Sequence, residues 1–174
     1  NTYVESLRKQ NKLRSQFVST EENLFNQVTK LAETQMEECD QLLASDNDMN
    51  NNINSTQIKQ KITTVNLANK LKAQIDEIGI QERNYIINLA NDEKQTQYAE
   101  STKKAFGEAE KTVQKLINSF NEEKDIETGK QMLNQIQNSA QLFNKIHEIE
   151  KTKDNNKEIM VNKAQNFLKQ TNAL

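Results

Sequence analysis

The sequence predicts an all-α protein: an elongated antiparallel up-down-up-down four-helix bundle with long first and last helices, residues 1–174 forming a single helical-bundle domain. Three observations carry that prediction. Apolar residues recur at steps of three and four over stretches much longer than the roughly 11–12 residues of an average helix. Proline is absent from all 174 residues, and there are only three glycines, Gly79, Gly107 and Gly129. The apolar share is 34%, against roughly 45–50% in an ordinary globular domain, so the chain can supply narrow stripes but no thick core. A polar chain that keeps helical periodicity buries such stripes by pairing long thin helices. The same periodicity argues against the disorder that high polarity otherwise permits.

The first helix is expected over residues 2–44. Val4, Leu7, Val18, Phe25, Val28, Ala32, Cys39 and Leu42 trace a heptad seam, widened on one flank by Tyr3, Phe17, Leu24 and Leu31. Polar residues interrupt it at Asn11, Arg14, Glu21 and Gln35. Forty-odd residues at 1.5 Å each make a rod of roughly 65 Å. Residues 45–56, SDNDMNNNINST, have no apolar period and favour turns and caps, so they read as a loop with Ser55 or Thr56 capping the next helix.

The second helix carries Ile58, Ile62, Val65, Ala68, Leu71, Ile75, Ile78, Tyr85, Ile86 and Leu89. Gly79 inside it costs about 1 kcal/mol relative to Ala and marks a close helix approach or a bend. Asn91 and Asp92 are expected to turn the chain back. The third helix then follows with Tyr98, Ala105, Phe106, Ala109, Val113, Leu116, Ile117 and Phe120. Asn121 is the expected cap of the fourth, with Glu122 and Glu123 in its first turn, where the helix dipole favours acids. That helix shows Ile126, Leu133, Ile136, Ala140, Phe143, Ile146 and Ile149, and resumes at Met160, Ala164, Phe167, Leu168 and Leu174. The polar stretch 150–157 holds no Pro or Gly, so one continuous helix with a polar layer is expected.

Charge and motif content exclude several functions. Lys plus Arg number 23 and Asp plus Glu 25, a net charge of −2, which leaves no basic excess for a phosphate backbone, and no nucleic-acid partner is expected. Cys39 is the single cysteine, so no intrachain disulfide forms, and its seam position makes it a small buried hydrophobe. No stretch approaches ~18 apolar residues, no signal peptide is visible, and Asn1 reads as a start within a longer protein. His147 is the only histidine. With no second His or Cys beside it, no metal site and no cofactor is expected, and it reads as a partly exposed helix residue. No phosphate loop or nucleophile motif occurs, so no enzyme is expected.

Charges near the seam remain. Counted from the pole that holds the 91–92 corner and both chain ends, Asn11 and Arg14 lie about ten residues in, Glu82 and Arg83 about nine, and Thr102 and Lys103 about ten, a level about 15 Å from the pole. Lys153 and Asn156 overlap this level loosely. Charge on a buried face demands a partner. Two readings follow. Glu82, Arg14 and Lys153 pair with one another or reach solvent along their stems. Alternatively, a small carboxylate or amino acid is held by Arg14 and Arg83, with Glu82 as internal partner and Lys103 and Asn156 at the rim, since guanidinium matches a carboxylate bidentately. The flank of Tyr3, Phe17 and Leu24 suggests a homodimer through the first helix.

The run Ile78-Gly79-Ile80-Gln81-Glu82-Arg83-Asn84-Tyr85-Ile86-Ile87, followed by Asn91-Asp92, resembles the end of a sensor-bundle helix in methyl-accepting chemotaxis proteins, of the four-helix-bundle and helical-bimodular kinds. The shorter four-helix form matches the length better, and Arg8 and Arg14 resemble the ligand-gripping arginines of such domains. The resemblance covers some ten residues as a motif and most of the chain as a plan. It implies the periplasmic, extracytoplasmic sensor of an inner-membrane receptor, with membrane helices beyond both ends, that transmits ligand binding as a helix displacement. The rival reading is a coiled-coil spacer without a ligand, which shares the length, the periodicity and the absence of catalytic motifs.

Overall fold

In the computed structural model, residues 2–45 and 51–171 are described, with side chains over 4–44 and 55–168. Four helices account for nearly all of them: α1 Thr2–Ser45, α2 Asn51–Ile87, α3 Asp92–Ser119 and α4 Glu123–Thr171. No described residue lies in a strand. None of these helices is long and apolar enough to cross a membrane.

The helices pack as a ring: α1 on α2, α2 on α3, α3 on α4 and α4 on α1. In the α1–α2 and α1–α4 contacts, residue numbers rise on one helix as they fall on the other. Arg14 meets Glu82 while Glu38 meets Lys61, and Gln10 meets Glu150 while Gln35 meets Asp125.

Burial follows a strict four-three spacing. It runs through Thr64, Ala68, Leu71, Ile75, Ile78, Glu82 and Tyr85 in α2, and through Gln95, Ala99, Thr102, Phe106, Ala109, Val113 and Leu116 in α3 to Phe120 at its C-terminal cap. That seven-residue repeat keeps one stripe facing the partner helices. Each helix gives one aromatic side chain to the centre. Phe143 of α4 stands 6.4 Å from Phe17 of α1, 5.3 Å from Tyr85 of α2 and 6.4 Å from Phe106 of α3, centroid to centroid. Edge-to-face and tilted contacts at these distances suit the ring quadrupoles and add to apolar burial.

Several sequence expectations need correction. In α1 the buried line is Gln10, Phe17, Leu24, Val28, Leu31, Gln35 and Cys39, whereas Val4 and Val18 are about half exposed. The residues expected on the flank form the seam, because Val18 is one step round the helix from Phe17. Phe17 and Leu24, expected at a dimer face, are interior; the side chain of Tyr3 lies outside the described residues.

The loop expected over 45–56 is shorter. Ser45 ends α1 and α2 begins at Asn51, so Ser55 and Thr56 lie inside a helix rather than capping it. Ser, Thr and Asn cost only tenths of a kcal/mol each in a helix interior, too little to stop a helix propagating from its packed part; 46–50 lie outside the described residues.

The corner falls earlier than expected, at 88–91. The Asn88 side chain donates to the Asn84 carbonyl, and Asn91 caps α3 by accepting from Lys94 N at 3.0 Å. Asn121 does not cap α4. Its amide donates to Gln60 Oε1, the Gln60 amide in turn satisfies the Ser119 carbonyl at the end of α3, and the Glu122 carbonyl accepts the first backbone bonds of α4.

α4 is continuous through 150–157, as its lack of breakers implies. The ladder expected to resume beyond that stretch is not buried: every side chain over 154–168 is exposed, Met160, Ala164, Phe167 and Leu168 among them. Gln10 is already level with Glu150, so α1 has only its first residues left to lie beside this part of α4. Leu174 lies outside the described residues.

Candidate functional site

Most of the core is apolar, but several seam positions near the α2–α3 corner are polar. Gln10 in α1, Glu82 in α2, Gln95 and Thr102 in α3, and His147 and Glu150 in α4 are all buried. The packing that makes a heptad seam therefore carries these polar groups inward, and each must find a partner.

Three groupings result. Between α1 and α2, Arg14 Nε donates to Glu82 Oε1 at 3.4 Å. Glu82 is 3% exposed, and burial raises its pKa above the ordinary carboxylate value although Arg14 and Arg83 pull the other way. Between α2 and α4, the Tyr85 hydroxyl lies 3.0 Å from His147 Nδ1, while the imidazole stacks on Phe143. Between α1 and α4, the Gln10 amide donates to Glu150, and Lys153 Nζ donates both to Glu150, at 3.0 Å from Oε2, and to Gln10 Oε1 at 3.2 Å. That last set joins the two helices that carry the chain ends.

Of the residues proposed from the sequence, Arg14 and Glu82 come together directly. Arg83 lies on the outer side, with Nη1 3.5 Å from the point where a Cβ on Gly79 would stand; Glu21 Oε2 is 3.6 Å from the same point. Arg83, Glu21, Glu22, Phe25, Asn26, Ile75, Asp76, Gly79 and Ile80 line a groove of about 680 Å³ between α1 and α2. Lys103 and Asn156 are exposed. Lys103 bears on His147 only as a nearby charge. Lys153 pairs with Glu150 rather than with Glu82.

His147 is a correction to the sequence reading. It is 6% exposed, not partly exposed, because its ring fits between Phe143 on its own helix and Tyr85 opposite. The four-residue step from Phe143 and the core position of Tyr85 were the available signals. Glu21 was visible only as an interruption of the seam. Burial, followed by the charge of Glu82, lifts its carboxyl to about 8, while Arg83 opposes that rise and Asp76 adds to it.

At the other end of the bundle, a second cleft of about 570 Å³ holds Gln35, which donates to Glu38 and Asp125, and Lys61 paired with Glu38. Among the described residues no three His, Cys, Asp or Glu side chains converge as a metal set would. No protein-family model, no curated protein and no solved structure matches the chain.

Proposed function

We propose that the chain is a ligand-sensing helical bundle of the kind found outside the membrane in methyl-accepting chemotaxis proteins, with its four helices alternating up-down-up-down and α1 and α4 leading to membrane helices. A bound small molecule would shift α4 along α1, in the manner of packed helices that shear between two arrangements. One observation carries this reading. The α1–α4 seam is closed near the chain ends by the Gln10–Glu150–Lys153 cluster, and hydrogen-bonded polar groups can exchange partners on sliding more readily than interlocked apolar side chains. A homodimer belongs to the same reading. Phe17 and Leu24 are excluded from its interface by their burial.

The spacer reading keeps one specific support: Arg14 is already engaged by Glu82, which reduces its availability to a carboxylate ligand.

Thermal-shift screening of the purified chain against small acids, amino acids and amines separates the two, because a ligand that binds only the native state raises the melting temperature. A sensing module gives at least one concentration-dependent rise. A flat response to the whole set sinks the sensing reading and leaves the spacer.

A further inference from the structure

Glu21 occupies a seam position of α1, in step with Gln10, Phe17, Leu24 and Val28, yet it is a carboxylic acid facing α2. Its Oε1 is buried and has no hydrogen-bond partner. The surface it faces is Gly79, the one seam-side residue of α2 without a side chain, and both its oxygens lie within 3.8 Å of where a Cβ there would stand. Glu82, buried and shared with Arg14, is the next acid along α2.

From these placements we propose that Glu21 is a proton-operated latch between α1 and α2: protonated, it lies closed over Gly79; ionised, it drives the two helices apart locally. The inference goes beyond the sensing reading and does not depend on any small molecule.

Charged groups reach the neighbourhood of Glu21 from α2 and from α1 itself, and Lys72 of α2 lies over the Phe25 ring at the edge of the same groove. On α2 it faces Asp76 and Glu82, which repel its anion, and Arg83, which attracts it. On its own helix Glu22 lines the same groove, and Arg14 is engaged with Glu82. On α4, Lys145 lines a groove on the other flank of α1, beside Ser15, Gln16, Ser19 and Thr20. Burial, which cuts one carboxylate oxygen off from water, and then two acids against one guanidinium make the neutral acid the form that fits the closed seam. The carboxyl accordingly holds its proton up to about pH 8. Above that, the half-buried side chain carries a charge that Glu82 and Asp76 repel across the seam, with Oε1 held away from water, and separation of α1 from α2 relieves both. Gly79 makes such movement cheap, because no side chain has to leave its rotamer to clear the path.

The test uses the full chain. Carbon-13 NMR of the side-chain carboxyls, assigned to Glu21 by its loss in Glu21→Gln, gives the titration directly. Spin labels at Val18 and Ile80, both exposed positions on α1 and α2, in a Cys39→Ser background, give the separation across the seam from about pH 6 to about pH 10. The expected result is a carboxyl that titrates near 8 together with a label distance that lengthens over the same range, and no lengthening in Glu21→Gln. A Glu21 carboxyl that titrates at an ordinary acidic value overturns the proposal, as does a distance that stays constant in the wild type. A distance that titrates identically in Glu21→Gln also overturns it. If the labelled protein fails to fold, an ordinary acidic titration of Glu21 in the unlabelled chain still overturns the proposal, and labels moved to Glu22 and Glu77, also exposed on α1 and α2, read the separation.

Discussion

The hydroxyl of Tyr85 lies 3.0 Å from Nδ1 of His147, with both side chains buried between α2 and α4. The imidazole also stacks on Phe143, 4° from parallel. A cation there would lose its water and gain no carboxylate partner in hydrogen-bond contact.

Burial first, and then the charges of Lys151 and Lys103, hold His147 below its ordinary pKa of 6.5. Its contribution to stability is therefore fully present above about pH 6.5 and is lost as the pH falls below that value, where the unfolded chain takes up the proton more readily. As the only histidine, its C2 proton can be followed by NMR without an assignment problem. The titration midpoint is expected below 6.5, and a midpoint at or above that value contradicts the buried neutral ring.

Arg14 and Glu82 predict an asymmetry. Arg14→Ala leaves a buried carboxylate without its partner and is expected to cost about 1–3 kcal/mol in urea unfolding. Glu82→Leu places an apolar side chain at a seam position and is expected to be neutral or stabilising. Equal losses from both changes would mean that the pair, not the stranded charge, carries the energy.

The glycines rank in a definite order. A Cβ on Gly129 would stand 2.6 Å from Ile117 Cγ1 and 3.2 Å from Phe120 Cε2, whereas one on Gly107 would meet nothing within 4 Å. Gly129→Ala is expected to destabilise by roughly 1–3 kcal/mol through overpacking of α4 on α3. Gly107→Ala is expected to stabilise by about 0.5–1 kcal/mol, the ordinary gain in a helix interior. Thermal melts of the two variants should move in opposite directions.

Phe143 touches aromatic rings from all three other helices, and Phe143→Ala is expected to cost about 3–5 kcal/mol. Ile87, 78% exposed at the end of α2, serves as the control: Ile87→Ala should stay within about 0.5 kcal/mol of wild type.

The helical class and the number of helices were legible because a four-three ladder without proline permits little else. The same periodicity misplaced individual residues. Val18 and Phe17 are neighbours in sequence, and only the identity of the facing helices decides which is buried. The pattern offers a close approach or a bend at Gly79, but contact is ordinary there and tight at Gly129. Chain pattern shows that glycine is permissive without showing what stands opposite. Arg14 and Glu82 could be paired by counting heights from the corner, since 1.5 Å per residue is a reliable ruler along straight rods. Arg83 could not, because one step round a helix turns a side chain by about 100° and carried it to the outer groove. The Gln10–Glu150 contact had no signal except that both positions lie in step with the seam.

A ladder that repeats every seven residues has a hidden degeneracy: a helix displaced lengthwise by one repeat finds almost the same sockets. For α2 against α1, sliding one way would bring Glu82 level with Glu21, acid against acid, and sliding the other way would set it beside Leu7. Only at Arg14 does Glu82 meet a cation. The ion pair thus works like the index pin of a ratchet, contributing little holding force of its own while ruling out the neighbouring notches.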